Sequence, residues 1–364
     1  MKAAICYEYK KPLVIEEIEI PPLKENEVKV RIAATAICHS DIHFVKGEAP
    51  VPLPFVAGHE SSGYIVEVGA SVTSVKPNDP VVLSLLKSCR NCFYCITGNP
   101  HLCETRLPPL VMPEELRLKN DRGQFLFAVD QIGSYAEYVV VDHSMVVKIP
   151  EGIPMESAAL LACGVTTGFG SVVNRAKVRP FDSVVVIGIG GVGVNAIQGA
   201  AYSGAYPIIA IDVLDSRLKD SIYFGATHYI NGKQPDAIEQ VKQLTAGRGA
   251  DYVFITVGSV GAIQQGILMS GLRGTIVLIG IPPNAQTVPL APFDIVTTER
   301  SLIGSMMGST NTQLDIPRLV ELYKSGHLKL DELVTGRYHL EQVNEAIEST
   351  LRGEGFRNVI TFNI

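Results

Sequence analysis

Six consecutive residues, Cys38-His39-Ser40-Asp41-Ile42-His43, carry a thiol, two imidazoles, a hydroxyl and a carboxylate. Two further metal-ligand types follow downstream, His59 in Gly58-His59-Glu60 and Cys163 in Ala162-Cys163-Gly164. Cys, His and Cys around one ion leave a fourth position open, the set expected of a catalytic zinc that must still accept a substrate oxygen. Taken singly, Cys38 and Cys163 read as small buried hydrophobes and His59 as a hydrogen-bonded core histidine. Their combination favours the metal. A second set, Cys89-x2-Cys92-x2-Cys95-x7-Cys103, places four thiols within fifteen residues. Four thiolates can close a tetrahedron about one zinc at about 2.3 Å each, a site that holds a loop and does not catalyse. An iron–sulfur cluster also takes four thiolates, and disulfides are the remaining alternative.

A third pattern works through backbone. Ser183-Val184-Val185-Val186-Ile187 leads into Gly188-Ile189-Gly190-Gly191-Val192-Gly193 and a helix-compatible run over 194–203. A lone GxGxxG is weak. Here it follows a buried-type strand and opens a helix, and Asp212 closes the next strand 19 residues after Gly193, which is the context of a dinucleotide fingerprint. Gly188 permits a tight turn, Gly190 lets the backbone approach a pyrophosphate, and Gly193 allows close helix–strand packing. The helix N-terminus offers free N–H groups to the phosphates. Asp212 would accept the ribose hydroxyls and repel a 2′-phosphate, favouring NAD over NADP, while Arg217 is a nearby cation that softens the preference. The plainer reading of Asp212 is a helix cap or a solvated loop carboxylate.

The elements that must position these groups follow from patterning. Residues 1–60 read as short strands broken by proline-rich turns, and Val28, Val30 and Ile32 alternate with polar residues. The Cys38 cluster therefore sits where a strand ends in a loop. Further strands over 64–69, 80–83 and 135–140, with glycine and proline punctuation, suggest a barrel-like β domain. From about 165 to 305 nearly uninterrupted apolar runs, at 184–187, 208–211, 252–255 and 276–279, alternate with helical stretches. That is the pattern of a doubly wound parallel sheet covered on both faces. Two amphipathic helices near 314–325 and 341–352 and a strand over 358–362 close the chain.

The 364 residues suit two domains. A net charge of -6, with no basic stripe, argues against a nucleic-acid partner. No apolar run approaches a membrane span, and the charges in Met1-Lys2-Ala3-Ala4-Ile5-Cys6-Tyr7-Glu8 disfavour a signal peptide. The expectation is a soluble cytoplasmic protein whose seven cysteines serve as ligands rather than disulfides. Cys6 has no such role and reads as a buried apolar residue.

Together these residues make the chain resemble the zinc-dependent alcohol dehydrogenases of the medium-chain dehydrogenase/reductase family, nearly end to end. The resemblance rests on Cys38…Gly58-His59-Glu60…Cys163, the four-cysteine lobe and Gly188-x-Gly190-Gly191-x-Gly193. It implies an α/β architecture. A chaperonin-10-like (GroES-like) β-barrel catalytic domain would span 1–164 and 305–364, with the zinc lobe at 88–104. A Rossmann domain over 165–304 would interrupt it, with the active site in the cleft between them. The resemblance makes Cys38, His59 and Cys163 ligands of a catalytic zinc, and Cys89, Cys92, Cys95 and Cys103 ligands of a structural one, two zinc ions per chain. Glu60 matches a glutamate behind the catalytic metal and Asp41 the carboxylate that orients the histidine ligand. Ser40 and His43 match a proton relay. Arg357 matches a pyrophosphate-binding arginine, His39 stands where many relatives carry an arginine against the pyrophosphate, and Thr167 and Val192 lie near the nicotinamide. Ile279 and Ile281 also fall along the cofactor, and Ser40, Leu85, Val129 and Ile281 match the substrate channel. Plainer readings are a turn or cap for Ser40, a surface imidazole for His43 and a solvated charge for Arg357.

The implied reaction is reversible hydride transfer between NAD and a primary or secondary alcohol with a hydrophobic body. Cys163, where polyol dehydrogenases have glutamate, speaks against that branch. Glutathione-dependent formaldehyde dehydrogenases carry an acidic residue near Ala49 and an arginine beyond the lobe; Glu48 and Arg106 fall one position off. A zinc-stabilised NAD-binding protein without turnover is the alternative from another class, though it needs neither an open ligand set nor a relay. The stretch 104–132 resembles the insert of the dimeric members, which implies a homodimer.

Overall fold

A ten-residue strand, Glu27–Ala36, is the spine of the first structural unit. Its alternation is the reason: Val28, Val30 and Ile32 are fully buried on one face, where they meet Ile65, Val81 and Val139. It pairs antiparallel with Ser61–Val68, Tyr138–Asp142 and Arg357–Thr361, within a sheet that also holds Val146–Lys148, Pro80–Leu83 and Val334–Tyr338. Five shorter strands, Lys2–Cys6, Val14–Glu19, Leu118–Asn120, Phe125–Ala128 and Phe55–Val56, close a small barrel. The computed structural model describes residues 1–106, 116–282 and 286–363, so part of the 104–132 stretch, on which the dimer reading rests, lies outside the described residues.

Contacts divide the chain into two units, Met1–Cys163 with Asn311–Ile364, and Gly164–Thr310. The seam differs from the sequence boundary at 304/305. Residues 305–310 belong to the second unit because the Gly308 turn lies against the backbone of Thr166, Thr167 and Gly170 and Thr310 Oγ1 donates to Thr166 O.

The second unit is built on six parallel strands in the order His228–Asn231, Ile208–Asp212, Val184–Ile187, Ala250–Ile255, Ser270–Leu278, Ser301–Gly304. In chain order this is 3-2-1-4-5-6, the doubly wound arrangement whose ligand crevice lies at the carboxyl ends of the strands where the order reverses. Gly188 emerges at that point, from the first strand. Val184–Ile187 and Ile208–Asp212 are buried throughout and read clearly as apolar runs. The outermost strands, His228–Asn231 and Ser301–Gly304, escaped the sequence reading. Each has one strand neighbour; Ser301–Gly304 is mostly exposed and His228–Asn231 buries only Ile230, so neither needs a continuous apolar run.

One local expectation is corrected. The residues after Cys38 do not form a loop: His39–Val45 is a helix with Cys38 at its N-cap. The Asp41 carboxylate accepts from the Cys38 N–H at 3.3 Å, satisfying one of the donors at the helix start.

The glycine turn of the second unit shows why its sequence is so restricted. A Cβ on Gly193 would lie 1.8 Å from Gly188 O, and Gly188 itself has φ +92°. Gly193→Ala is therefore expected to lower stability by more than about 2 kcal/mol, read as an earlier denaturant midpoint on the whole chain. An unchanged midpoint would contradict this packing.

Candidate active site

Cys38, His59 and Cys163 converge in the first unit. Their ligand atoms lie within 4.8 Å of one another, and all three side chains are buried. Each comes from a different local device. Cys38 caps the helix His39–Val45. His59 follows Gly58, whose φ of +97° and whose missing Cβ, 2.6 Å from the Tyr135 ring, leave no room for another residue. Cys163 ends its unit, after a short helical turn, Leu160–Ala162.

Asp41 ties these devices together. The fully buried carboxylate accepts from Cys38 N at 3.3 Å, Gly58 N at 3.0 Å and Tyr135 Oη at 3.1 Å, and faces His59 Nδ1 at 3.0 Å. With Nδ1 committed to Asp41, Nε2 is the atom left for a metal. Burial works against a charge on His59, but Asp41 and the Cys38 sulfur outweigh it and hold the imidazole well above its ordinary range. The Cys163 thiol, donating to Cys38, pulls Cys38 well below the thiol range against burial, with His59 adding to the pull. The site alone thus keeps a proton that a divalent ion would displace. Two sulfurs and one ring nitrogen fit zinc with one position open.

The cysteine lobe is a different kind of site. Cys89, Cys92, Cys95 and Cys103 bring their sulfurs within 4.8 Å of one another, with separations of 3.5 Å between Cys89 and Cys103 and 3.9 Å between Cys92 and Cys103. All are free thiols. A zinc tetrahedron at about 2.3 Å per sulfur needs sulfurs about 3.8 Å apart, so the spacing fits one ion and neither a disulfide nor a multi-iron cage. Backbone N–H groups of Cys89 and Cys92 donate to Cys103 and Cys89 sulfurs. Against burial, the Thr105 hydroxyl and backbone donors hold Cys103 down at about 6. Burial and the neighbouring thiols push Cys95 up to about 12. Without a cation the lobe ionises only in part.

In the second unit the Gly188–Gly193 turn contains a gap. A Cβ on Gly190 would meet nothing nearer than an Arg217 guanidinium nitrogen at 3.8 Å. The chain's own packing does not require glycine there, whereas a pyrophosphate lying on the backbone does. Asp212, at the end of its strand, accepts from Ile189 N at 2.6 Å, Val213 N at 2.7 Å and Leu214 N at 3.0 Å. It shapes the turn from a buried position; the following helix, Asp215–Ser221, has Leu214 at its N-cap and no side-chain cap bond, so Asp212 is neither that helix's cap nor a solvated carboxylate.

Comparison with known proteins decides the family. Residues 24–151 match the alcohol dehydrogenase GroES-like domain, and 191–325 match the zinc-binding dehydrogenase domain. The chain is 39% identical over 99% of its length to an NDMA-dependent alcohol dehydrogenase of Amycolatopsis methanolica, covering 98% of that protein. The chain belongs to the zinc-binding alcohol dehydrogenase family. A benzyl alcohol dehydrogenase structure from Acinetobacter calcoaceticus superposes with a TM-score of 0.92 at 31% identity, covering 100% of this chain and 99% of that one. A protein of Schizosaccharomyces pombe described as a probable S-(hydroxymethyl)glutathione dehydrogenase is 36% identical over 100% of this chain and 97% of its own length. The GroES-like and Rossmann-like pairing expected from the sequence is the architecture of this family.

Other expected residues take distinct places in this dehydrogenase. Ser40 and His43 sit three apart on the helix His39–Val45 and so share a face; His39, also on it, is exposed. His43 Nδ1 lies 2.5 Å from Glu48 Oε2. Glu60 and Arg357 form a buried ion pair, and Glu60 is outside the three-residue ligand set found among the described residues. Arg357 also lies beside Cys38, and burial lowers its pKa. Arg106 donates to His101 O. Leu85 packs against the core of the large sheet. Thr167 Oγ1 donates to Met307 Sδ, Val192 caps the helix Gly193–Tyr202, Ile279 N donates to Ile255 O, and Ile281 is 67% exposed in its unit.

Val129 is not the wall residue expected. It is 1% exposed and packed in the barrel core with Phe55 and Tyr135. Its neighbour Asp130, which the sequence reading passed over, lies against the His59 ring instead, 3.5 Å from Nδ1, the nitrogen held by Asp41. Burial pushes its carboxyl up, and Asp41 and Cys38 add to this against the pull of His59.

Because His59 must lose a proton to bind metal, zinc affinity at the Cys38–His59–Cys163 site should rise with pH, about tenfold per unit for each proton released. Chelator competition between pH 6 and 8 measures this, and Asp41→Asn should weaken affinity about tenfold or more at each pH. A flat profile would contradict the proton competition.

Proposed function

We propose that this protein is an NAD-dependent alcohol dehydrogenase that interconverts primary or secondary alcohols and their aldehydes or ketones. The observation that carries the reading is the contrast between two ligand sets. Three buried donors, Cys38, His59 and Cys163, leave one position for a substrate oxygen, while the four cysteines of the lobe form a closed set. We assign zinc to both. At the open site it would supply Lewis acidity that makes an alcohol easier to deprotonate, and NAD would supply the hydride acceptor.

The chain's own groups do the rest. Asp41 holds the His59 ring in the tautomer that presents Nε2. Ser40 accepts the proton leaving the alcohol, and His43, paired with Glu48 and half exposed, passes it to solvent. The Gly188–Gly193 turn and the helix Gly193–Tyr202 receive the pyrophosphate. Arg357, whose buried Nε lacks a partner among the described residues, keeps a donor for an anionic ligand group. Asp212 favours NAD over NADP by its charge at the end of the second strand, and Arg217 over the turn moderates that preference. Leu85, in the unit that holds the three donors, is apolar, which suits a substrate with a hydrophobic body. Glu48 and Arg106 already have partners within the chain, so S-(hydroxymethyl)glutathione is not the expected substrate.

We also assign a homodimer. Its support is the exposed edge strand Ser301–Gly304, with Leu302 at 37% exposure, since an uncovered edge invites pairing with another chain. A cytoplasmic setting suits seven free cysteines. Sedimentation at micromolar concentration tests the dimer.

Zinc-loaded protein should reduce NAD, read at 340 nm, with several of a panel of about ten primary and secondary alcohols, and chelation should abolish the signal. Silence across the panel with zinc and NAD both bound would replace this reading with a binding protein that lacks turnover. Gly190→Ala should leave the unfolding midpoint within about 1 kcal/mol while weakening NAD affinity about tenfold or more, because the new methyl occupies the phosphate's approach.

A further inference from the structure

The helix His39–Val45 runs out into a turn that brings its own histidine against an acid. The backbone N–H groups of Glu48 and Ala49 both donate to His43 O, at 2.9 Å and 3.3 Å. Gly47 makes the reversal with φ +70°, and a Cβ there would lie 3.0 Å from the Tyr9 ring. Tyr9 is itself fixed, because its hydroxyl accepts from Val51 N at 3.1 Å and donates to Val51 O. Lys10 N donates to Val45 O at 2.8 Å, at the end of the helix. The backbone thus brings residues 43 and 48 together before their side chains meet. His43 Nδ1 and Glu48 Oε2 then lie 2.5 Å apart.

The chemistry of that contact has one solution. The bond to His43, with Lys46 and Lys10 nearby, keeps the Glu48 carboxyl below its usual range, so it stands as a carboxylate, which only accepts. Nδ1 must then be the donor. A neutral imidazole has a single N–H, which leaves the Nε2 lone pair as the base. The pair is exposed, at 39% and 45%, and exposed pairs of this kind add little to stability. What the contact decides is which ring nitrogen is available.

We propose that Glu48 is a positioning residue for the proton relay: it holds His43 in the Nδ1–H tautomer, so that Nε2 receives the proton that Ser40 passes on. This rests on the alcohol dehydrogenase reading and deepens it. The proton adds to the Nε2 lone pair and makes the ring a cation with hydrogen on both nitrogens. The bond from Nδ1–H to the carboxylate stays in place and faces the new charge. Nε2 then gives its proton to water, and the starting tautomer returns. Without Glu48, Nδ1 loses the acceptor it has among the described residues. Each ring that then carries its hydrogen on Nε2 is blocked as a base at that atom.

The test uses the full-length zinc-loaded protein labelled with 15N-histidine. Eight histidines give signals, and the one absent from His43→Gln belongs to His43. Spectra are taken at about pH 8, above the reference histidine pKa, where the 15N shifts of a neutral ring report which nitrogen bears the hydrogen. Wild type should show Nδ1 protonated and Nε2 bare. Glu48→Ala should show the hydrogen shared between the two, with the unfolding midpoint little changed. Turnover is read beside the spectrum, with an alcohol that the wild type oxidises. Glu48→Ala should lower kcat about tenfold with KM within about twofold, and added imidazole should restore most of the loss by acting as an external base. Glu48→Gln keeps an acceptor oxygen but adds a donor, so it should fall between the two. An unchanged His43 tautomer in Glu48→Ala would overturn the assignment, as would a changed tautomer with unchanged kcat. A tautomer that depends on Glu48, in a protein that oxidises no alcohol, would uphold the hold of Glu48 on His43 and remove the enzymatic reading beneath it.

Discussion

One buried carboxylate holds the metal site of this protein in shape. Asp41 receives the backbone N–H groups of Cys38 and Gly58, the Tyr135 hydroxyl and the His59 ring. Those donors come from the end of the central strand, the turn that carries the histidine ligand and the barrel. Each would otherwise be an unsatisfied polar group in the interior. Through that one residue the helix His39–Val45 starts where it does, Ser40 and His43 fall on a common face, and His59 is left with a single nitrogen to offer.

The functional places are distinguished by what they lack. The four-cysteine lobe is complete, with sulfurs spaced for one ion and backbone donors filling in behind them. The triad of Cys38, His59 and Cys163 is one donor short of a tetrahedron. Gly190 is one methyl short of filling its turn. Interiors are normally close-packed and hydrogen-bonded throughout, so deficits at such places mark where a ligand belongs.

Much of this was legible in the sequence wherever function depends on local spacing. The cysteine lobe and the glycine turn are short contiguous patterns, and the inner parallel strands are buried on both faces, which leaves unbroken apolar runs such as 184–187. Partners brought together only by folding were less legible. Glu60 and Arg357 meet across 297 residues, and the resemblance gave each a different role. The three backbone bonds of Asp212 depend on how a turn folds back on its strand. The sheet edges lack an apolar signal because exposed edges do not need one. Asp130 was overlooked and Val129 misassigned for one reason: a left-handed turn reverses which of two adjacent side chains faces inward, and composition does not show it.

That turn also restricts what position 130 can become. At φ 53° most side chains clash with their own backbone, and glycine, asparagine and aspartate are the residues that settle there most readily. Each of the three is a single nucleotide change from aspartate or is aspartate itself. Descendants of this chain could therefore exchange a negative charge, an amide or an empty space beside the His59 ring without rebuilding the barrel, whereas an aliphatic side chain would first require a different loop.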